Sequence, residues 1–365
     1  MHVLVTGGAG FIGSHLVEYH LNKGDKVLAV DDLSTGSREN IEPFMGNRDF
    51  RFEEADILTW KDIDNAICWS DRIYHMAAVV GLFKVLEEPI KVLAVNIAGA
   101  ERLLRSIRNC KWEPDIVMAS TSEVYGNRFH YDGIRRTGSD EPQICPATSE
   151  PCRDMRPRED NIELKEDMEL LVSSNLNART NYSVSKLADE LFGLSYARQF
   201  GMKVRMIRFF HVIGPRQRGK YGMVVPRFVS QAVEGEDITV YGDGTQTRSF
   251  IDVRDVVVAL DKIAETPASI GEVINVGAHQ EVSIHQLANT VKTLTDSDSQ
   301  IAFKSYEEAY GEGFDEIYHR RPSLEKLNRL IDFSPHWSLE KTILDLVDRK
   351  REKVVQPVPR EALAN

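Results

Sequence analysis

The segment TGGAGFIGSH, residues 6–15, decides the fold that the rest of the chain is expected to adopt. It follows the apolar run HVLVT, which is typical of a buried strand, and it opens a helical pattern. Glycines at this turn permit a tight bend, let a pyrophosphate approach the backbone and leave helix N-terminal amides to donate to phosphate. The segment therefore predicts a dinucleotide-binding loop, with cofactor contacts at Gly7, Gly10, Phe11, Ile12 and Gly13.

The next strand pattern, KVLAVDD, ends in two carboxylates, Asp31 and Asp32. Asp31 lies eighteen positions after Gly13, where a carboxylate accepts the adenosine ribose hydroxyls and repels a 2′-phosphate. This pair favours NAD over NADP as the cofactor. Further cofactor contacts are expected after the third and fourth strands, at Asp56, Ile57, Ala77 and Ala78.

Strand and helix patterns alternate along the first part of the chain, which predicts an α/β protein with a Rossmann-type, doubly wound parallel sheet. We expect residues 1–210 to form this NAD-binding domain, with a polar insertion at 127–180 that contains one helical pattern, IELKEDMELLVSS. Residues 211–348 are expected to form mainly a smaller α+β substrate-binding C-terminal domain, with some segments returning to the sheet. Residues 349–365 lack periodicity and are expected to be a mobile tail.

The bulk composition narrows the function classes. The 365-residue chain has a formal net charge of −11, which argues against a nucleic-acid partner or an anionic membrane surface. No run of eighteen apolar residues predicts a membrane span, and the N-terminus resembles no targeting peptide, so we expect a cytoplasmic protein. The four cysteines have no close pair and no metal-ligand spacing, so we expect reduced thiols and no metal.

Two short segments carry candidate catalytic groups. YSVSK places Tyr182 and Lys186 four residues apart, on one face of a helix, where the ammonium favours the phenolate form of the tyrosine. STSEVYG, residues 120–126, follows the apolar run of a fifth strand and contains Thr121, Ser122 and Glu123. By itself this second segment is compatible with a polar turn or with a catalytic carboxylate.

In combination these segments resemble the extended short-chain dehydrogenase/reductase family, specifically its nucleotide-sugar epimerases, dehydratases and decarboxylases. The resemblance covers residues 1 to about 349 and rests on TGGAGFIGSH, DDLSTG, HMAA, STSEVYG, YSVSK, GPRQRGKYGMVVPRF and YGDGTQTRSFIDVRDV. It implies NAD that is retained through the catalytic cycle and a nucleoside-diphosphate sugar substrate. It also implies a homodimer joined by a four-helix bundle, built from the helix near Asn96 and the helix that carries Tyr182.

The resemblance assigns a role to each matching residue. Tyr182 is expected to take the proton from the sugar 4-hydroxyl, Lys186 to lower its pKa and hold the nicotinamide ribose, and Thr121 to hydrogen-bond the same oxygen. Hydride transfer from C4 to NAD then gives a 4-keto sugar. Asn96 is expected among the cofactor-binding residues. The implied substrate-binding residues are His211, Val225, Arg227, Tyr241 and Arg248, the last as the arginine that grips the diphosphate.

Four residues bear on the fate of the 4-keto sugar. Thr-Ser-Glu, at positions 121–123, is the pattern of UDP-glucuronate decarboxylases, and Arg320 matches their C-terminal arginine. Ser122 and Glu123 are expected to order the sugar and manage proton transfer at C5. The expected reaction is therefore decarboxylation of UDP-glucuronate to a UDP-pentose.

Other reactions stay open. The main alternative is a 4-epimerase acting on a UDP-hexose or UDP-hexuronate. A 4,6-dehydratase is disfavoured, because Ser122 replaces the carboxylic acid of that class, and a non-catalytic cofactor-sensing relative is disfavoured by Tyr182 and Lys186. Two departures from the family complicate the choice: His211 stands where asparagine is usual, and Thr121 and Tyr182 are 61 positions apart because of the insertion.

Overall fold

The computed structural model describes residues 1–110, 112–126, 163–172, 178–219, 222–310 and 316–355. Most of the predicted insertion at 127–180 lies outside these residues, as do Cys145 and Cys152.

A seven-stranded sheet forms the centre of the protein. Its strands are β1 (His2–Thr6), β2 (Lys26–Asp31), β3 (Phe50–Glu54), β4 (Arg72–His75), β5 (Asp115–Thr121), β7 (Val204–Phe209) and β12 (Val273–Val276). The order across the sheet is β12-β7-β5-β4-β1-β2-β3, and every neighbouring pair is parallel. The predicted α/β class with a doubly wound parallel sheet is confirmed.

The remaining strands are short and pair outside this sheet. They are β6 (Glu163–Leu164), β8 (Val212–Ile213), β9 (Ile238–Tyr241), β10 (Thr247–Ser249), β11 (Ile251–Asp252), β13 (Glu281–Ser283), β14 (Ile301–Lys304) and β15 (Arg321–Pro322). They pair as β6 with β15, β8 with β11, β9 with β14 and, antiparallel, β10 with β13.

Eleven helices are present among the described residues. They are α1 (Phe11–Asn22), α2 (Ile63–Trp69), α3 (Leu82–Glu87), α4 (Pro89–Asn109), α5 (Ala178–Phe200), α6 (Val224–Glu234), α7 (Val253–Glu265), α8 (Ile284–Thr295), α9 (Tyr306–Tyr310), α10 (Glu325–Ile331) and α11 (Leu339–Val355). None of them is long and apolar enough to cross a membrane.

The central strands have continuous apolar sequences because both faces of the sheet are buried. Side chains alternate along β1, so Val3 and Val5 join a core with α1 and α7, whereas Leu4 joins the opposite core with α2 and α4. A parallel sheet needs helices on both faces to bury such strands. The apolar pattern that predicted strands therefore also determined the three-layer packing.

The C-terminal part has a core of its own. The helices α6, α8 and α11 pack around β9 with residues such as Phe228, Leu287 and Ile343 fully buried. The strand β12 instead pairs with β7, so this part of the chain also contributes one strand to the central sheet. The arrangement brings the end of β7 and the start of α6 over the same edge of the sheet.

Two local expectations about secondary structure differ from the observed elements. The pattern IELKEDMELLVSS predicts a helix, but its described part is the strand β6 followed by a turn, because Glu163 and Leu164 pair with Arg321 and Pro322. The predicted tail begins inside α11, which continues to Val355; residues 356–365 lie outside the described part of the chain.

The expectation of reduced thiols is wrong for one pair of cysteines. Cys68 and Cys110 form a disulfide, with Cα atoms 6.0 Å apart and a sequence separation of 42. Their pairing follows from tertiary packing, since α2 and α4 lie side by side and bring the ends of both helices together. Sequence spacing alone does not reveal such a contact.

Candidate active site

The candidate site lies at the carboxyl edge of the central sheet, where β1 separates β2 on one side from β4 on the other. Connections leave the sheet in opposite directions at such a point and open a crevice. A cavity there is lined by the ends of β1, β2, β4, β5 and β7, by the start of α1 and by one face of α5. This is the position at which the sequence predicts a dinucleotide.

The glycine loop has no space for side chains. Gly7 adopts φ +71° and donates its N–H to Val30 O at 2.7 Å, so the loop folds back on β2. A Cβ on Gly13 would lie 2.0 Å from Gly7 O, and a Cβ on Gly7 would lie 2.7 Å from Ala77 N. The turn and the helix start are therefore in direct backbone contact, which is the cradle that a pyrophosphate requires.

Asp31 links the cradle to the second strand. Its Oδ2 accepts the N–H of Ala9 at 3.0 Å and its Oδ1 accepts the N–H of Leu33 at 2.8 Å. Burial raises the pKa of Asp31 above its usual value. Asp32 beside it accepts the N–H and the hydroxyl of Ser34. Both aspartates line the cavity, so the carboxylates expected to select NAD face the adenosine end of the crevice.

Most of the predicted cofactor residues line this one cavity. They are Gly7, Gly10, Phe11, Ile12, Gly13, Asp31, Asp32, Ile57, Ala77, Ala78, Tyr182 and Lys186. These residues come from separate segments of the chain that the sheet brings to one edge. Their donor set and shape fit a dinucleotide.

Asp56 and Asn96 were expected to bind the cofactor, but neither of these two residues lines the cavity. The Asp56 carboxylate accepts the N–H of Leu58, so it closes its own turn. The buried Asn96 carboxamide accepts the N–H of Val79 at 2.8 Å and donates to Ser185 Oγ at 3.0 Å. Asn96 therefore positions the wall of the cavity instead of forming it.

Tyr182 and Thr121 meet at the inner end of the cofactor cavity. Burial and the Glu123 carboxylate raise the pKa of Tyr182 above its usual value, while a hydrogen bond with Thr121 opposes the shift. Lys186 Nζ donates to Ala119 O at 3.0 Å and to Asp189 Oδ2 at 2.9 Å. The Lys186 ammonium contacts Asp189 in this arrangement, and a lowering of the Tyr182 pKa by Lys186 together with the nicotinamide stays a prediction.

A second cavity adjoins the first and shares Thr121, Tyr182 and His211 with it. Except for Lys186, which lines the first cavity alone, the other predicted substrate and catalytic residues also line it: Ser122, Glu123, Val225, Arg227, Tyr241, Arg248 and Arg320. The shared residues mark a place where the contents of both cavities come together. A group reacting with the cofactor would lie against Thr121 and Tyr182.

Glu123 is held between two guanidinium groups. Arg320 donates from Nη1 to Oε1 and from Nη2 to Oε2, the latter at 3.2 Å, and Arg179 Nε donates to Oε2 at 3.0 Å. Burial alone would raise the pKa of Glu123, but these arginines outweigh it and hold the pKa well below its usual value of 4.5. Glu123 is therefore an ionised, fixed carboxylate.

Arg248 and His211 lie beside this cluster. Arg248 Nη2 donates to Glu316 Oε1 at 2.7 Å, and Arg179 Nη1 lies 3.9 Å from the same oxygen. Burial and the guanidinium groups of Arg248 and Arg320 lower the pKa of His211 well below 6.5. His211 is thus neutral, and its buried Nδ1 has no hydrogen-bond partner among the described residues. That atom is available to a ligand.

The far side of the second cavity is aromatic. The Arg227 guanidinium lies 4.1 Å from the centre of the Tyr241 ring and donates to Thr239 O at 2.7 Å. The Tyr241 and Tyr310 rings meet edge to face at 5.3 Å. A flat, polar-edged group such as a nucleobase suits this surface.

Sequence reasoning missed several residues of the second cavity, and four of them carry charged or phenolic side chains: Arg179, Tyr306, Tyr310 and Glu316. Arg179 precedes Tyr182 by about one helical turn, so its position on the same helix was a usable signal. The other three belong to the segment around α9, which has no motif and reaches the cavity through tertiary packing.

Gly13→Ala is expected to weaken NAD binding by at least about tenfold, because the new Cβ collides with Gly7 O at the cradle. The measurement is the NAD content of the purified protein together with the Kd of added NAD. Gly46→Ala is the matched control, because no atom lies within 4 Å of its added Cβ. Equal NAD affinity in Gly13→Ala and Gly46→Ala would contradict the assignment.

Glu123→Gln is expected to destabilise the protein by about 3 kcal/mol at pH 7, because it leaves two arginines without their shared carboxylate. The folded-state pKa of Glu123 is depressed, so its contribution is present above pH 4.5 and is lost as the pH falls further. Denaturant unfolding should show the difference from wild type narrowing below pH 4.5. A difference that does not change with pH would refute the ion-pair explanation.

Comparison with known proteins agrees with this geometry. Residues 3–277 match the NAD dependent epimerase/dehydratase family. UDP-N-acetyl-alpha-D-glucosaminuronate decarboxylase of Bacillus cytotoxicus is 33% identical over 96% of this chain and 97% of its own length. UDP-glucuronic acid decarboxylase 1 of Xenopus tropicalis is 31% identical over 93% of this chain and 69% of its own length.

A solved structure has the same fold over nearly the whole chain. UDP-glucuronic acid 4-epimerase from Bacillus cereus, in complex with UDP-glucuronic acid and NAD, superposes with a TM-score of 0.77 and 27% identity. The alignment covers 96% of this chain and 99% of that one. The chain therefore belongs to the NAD dependent epimerase/dehydratase family.

Proposed function

We propose that this protein is an NAD-dependent decarboxylase of UDP-hexuronates that converts UDP-glucuronate to a UDP-pentose. The observation that carries the proposal is the charge of the second cavity. Four arginines and two glutamates line it, at Arg179, Arg227, Arg248, Arg320, Glu123 and Glu316. With His211 neutral, this cavity is cationic in a chain of net charge −11, which suits a substrate with a diphosphate and a carboxylate.

The relatives support decarboxylation specifically. The proteins from Bacillus cytotoxicus and Xenopus tropicalis are both named as decarboxylases of nucleotide-linked hexuronates. Their named substrates differ by an N-acetyl group and share the carboxylate. The shared carboxylate is the group that the cationic cavity suits.

The first chemical step would take place where the two cavities meet. Tyr182 would accept the proton of the sugar 4-hydroxyl, Thr121 would hydrogen-bond the same oxygen, and Lys186 would orient the nicotinamide ribose. Bound NAD supplies a hydride acceptor for C4 and later returns the same hydride. The positive charge of a bound nicotinamide would oppose the raised pKa of Tyr182 and favour the phenolate that accepts this proton.

Loss of carbon dioxide would follow from the 4-keto group. The C5–C6 bond breaks, carbon dioxide leaves, and the electron pair moves onto the C4 carbonyl, where the Tyr182 hydroxyl stabilises it. A proton from solvent then adds to C5, and the electron pair on the C4 oxygen re-forms the C4 carbonyl. Since Glu123 is a fixed carboxylate with a depressed pKa, we assign it to ordering the arginines and assign the hydroxyl contact with the sugar to Ser122.

A 4-epimerase is the second candidate, because UDP-glucuronic acid 4-epimerase shares the fold and acts on a carboxylated sugar. In such an enzyme the 4-keto sugar turns over and accepts hydride on its other face. Arg320, almost fully buried behind Glu123, favours decarboxylation because it fixes the carboxylate cluster on one side of the sugar.

Incubation with UDP-glucuronate is expected to give a UDP-sugar that has lost the mass of one carbon dioxide. An unchanged mass with an altered sugar NMR spectrum would indicate epimerisation instead of decarboxylation.

Tyr182→Phe should abolish reduction of bound NAD, as measured by absorbance, whereas Tyr196→Phe on the same helix should retain it. Normal NAD reduction in Tyr182→Phe would overturn the mechanism.

We also propose that the protein forms a homodimer through a four-helix bundle of α4 and α5 from each copy. These helices pack side by side, and each presents apolar side chains to solvent: Ile90 is 82% exposed and Leu191 is 60% exposed. Burying such residues against a second copy is favourable.

Leu191→Asp is expected to convert the dimer to a monomer in size-exclusion chromatography with light scattering, because it places a charge in the apolar contact. Leu344→Asp, at an exposed position of α11, is the control and should remain dimeric. A monomeric wild-type protein would refute the dimer.

The cytoplasmic location stays a prediction. The Cys68–Cys110 disulfide is unusual for a reducing compartment, where thiols are kept free.

A further inference from the structure

Arg179 and Arg320 hold the same carboxylate in unequal ways. Arg320 is 2% exposed and donates to both oxygens of Glu123. Arg179 is 23% exposed, contacts one oxygen through Nε, and lines the second cavity. Arg320 lines the same cavity, but its lower exposure makes Arg179 the more accessible of the two guanidinium groups.

The position of Arg179 on α5 relates it to the reacting carbon. It precedes Tyr182 by three residues, so the two side chains leave the same face of the helix about 5 Å apart. In a hexuronate the carboxylate carbon is two bonds from C4. A sugar whose C4 oxygen contacts Tyr182 and Thr121 therefore brings its carboxylate within reach of a side chain one turn earlier.

The local charge balance agrees with this position. Arg179 and Arg320 share the single negative charge of Glu123, and a further carboxylate, Glu316, lies 3.9 Å from Arg179 and 2.7 Å from Arg248. These five groups carry one net positive charge. The excess positive charge of these five groups favours an anionic group of the substrate at this place.

We infer that Arg179 binds the sugar carboxylate and is the residue that selects carboxylated nucleotide sugars over neutral ones. The inference rests on the proposed function, since it names the group that recognises a hexuronate. Arg320 stays paired with Glu123 and holds that carboxylate against Arg179.

A single, partly exposed contact also suits the chemistry. The carboxylate loses its charge as carbon dioxide leaves, so a very tight ion pair would stabilise the ground state more than the transition state. One guanidinium at the edge of the cavity anchors the substrate and stabilises the ground state less than a tight ion pair would. Removal of Arg179 should therefore affect binding and specificity more than the rate of the bound complex.

The test compares the Kd of UDP, UDP-glucose and UDP-glucuronate for NAD-loaded protein with wild-type Arg179, Arg179→Gln or Arg179→Lys, each in a Tyr182→Phe background that blocks turnover, by calorimetry. Wild type should prefer UDP-glucuronate over UDP-glucose by about tenfold or more, as expected for a charge-assisted hydrogen bond. Arg179→Gln should remove the preference for UDP-glucuronate over UDP-glucose, and Arg179→Lys should keep part of it. The affinity for UDP should be the same in all three proteins. Arg198→Gln, on the same helix, is the control and should behave as wild type.

The outcomes separate the two proposals. A retained preference in Arg179→Gln would overturn this inference and leave the proposed function standing. An equal weakening of all three ligands would also overturn it, because Arg179 would then only hold Glu123 in place. A wild type that neither prefers nor turns over UDP-glucuronate would overturn the proposed function and this inference together. Thermal unfolding of each variant shows whether it is folded.

Discussion

The site depends on one steric constraint, the close approach of Gly13 to the carbonyl of Gly7. There the first strand ends and the first helix begins in direct backbone contact, which aligns the helix N-terminus with the crevice. The crevice exists because the sheet connections diverge beside β1. Asp31 then ties this turn to the second strand by accepting the N–H of Ala9. The catalytic side chains that come later in the chain are positioned relative to this turn.

The second property that organises the site is the contrast between the acidic chain and its cationic second cavity. The chain is acidic overall, yet the arginines of the second cavity outnumber its glutamates. The two glutamates form ion pairs with Arg320, Arg179 and Arg248, which reduces the cost of holding several guanidinium groups close together without a ligand. The result is a site whose excess positive charge is small, localised and directed at an anionic substrate. The ionised state of Glu123 follows from this arrangement.

The sequence was sufficient for features that depend on local pattern, and insufficient for those that depend on tertiary packing. The glycine loop and the central strands follow from local motifs, and the meeting of Tyr182 with Thr121 follows from two motifs that are recognisable despite the insertion between them. Asn96 was placed in the correct neighbourhood, but its carboxamide contacts Val79 and Ser185, which a motif cannot specify. The disulfide and the α9 segment were missed because they depend on how distant helices pack. The depressed pKa of Glu123 was also beyond the sequence, because it is set by Arg179 and Arg320, which are distant from it in the chain.

The contacts of Asn96 have a thermodynamic consequence. One carboxamide joins the backbone of Val79, which lines the cofactor crevice, to Ser185, which neighbours Lys186 on the catalytic helix. These hydrogen bonds connect the crevice wall directly to the helix that carries Tyr182 and Arg179. If the cofactor orders this wall and the wall orders that helix, linkage requires that substrate strengthens cofactor binding by the same factor as cofactor strengthens substrate binding. A loaded sugar site would then tighten the binding of the dinucleotide.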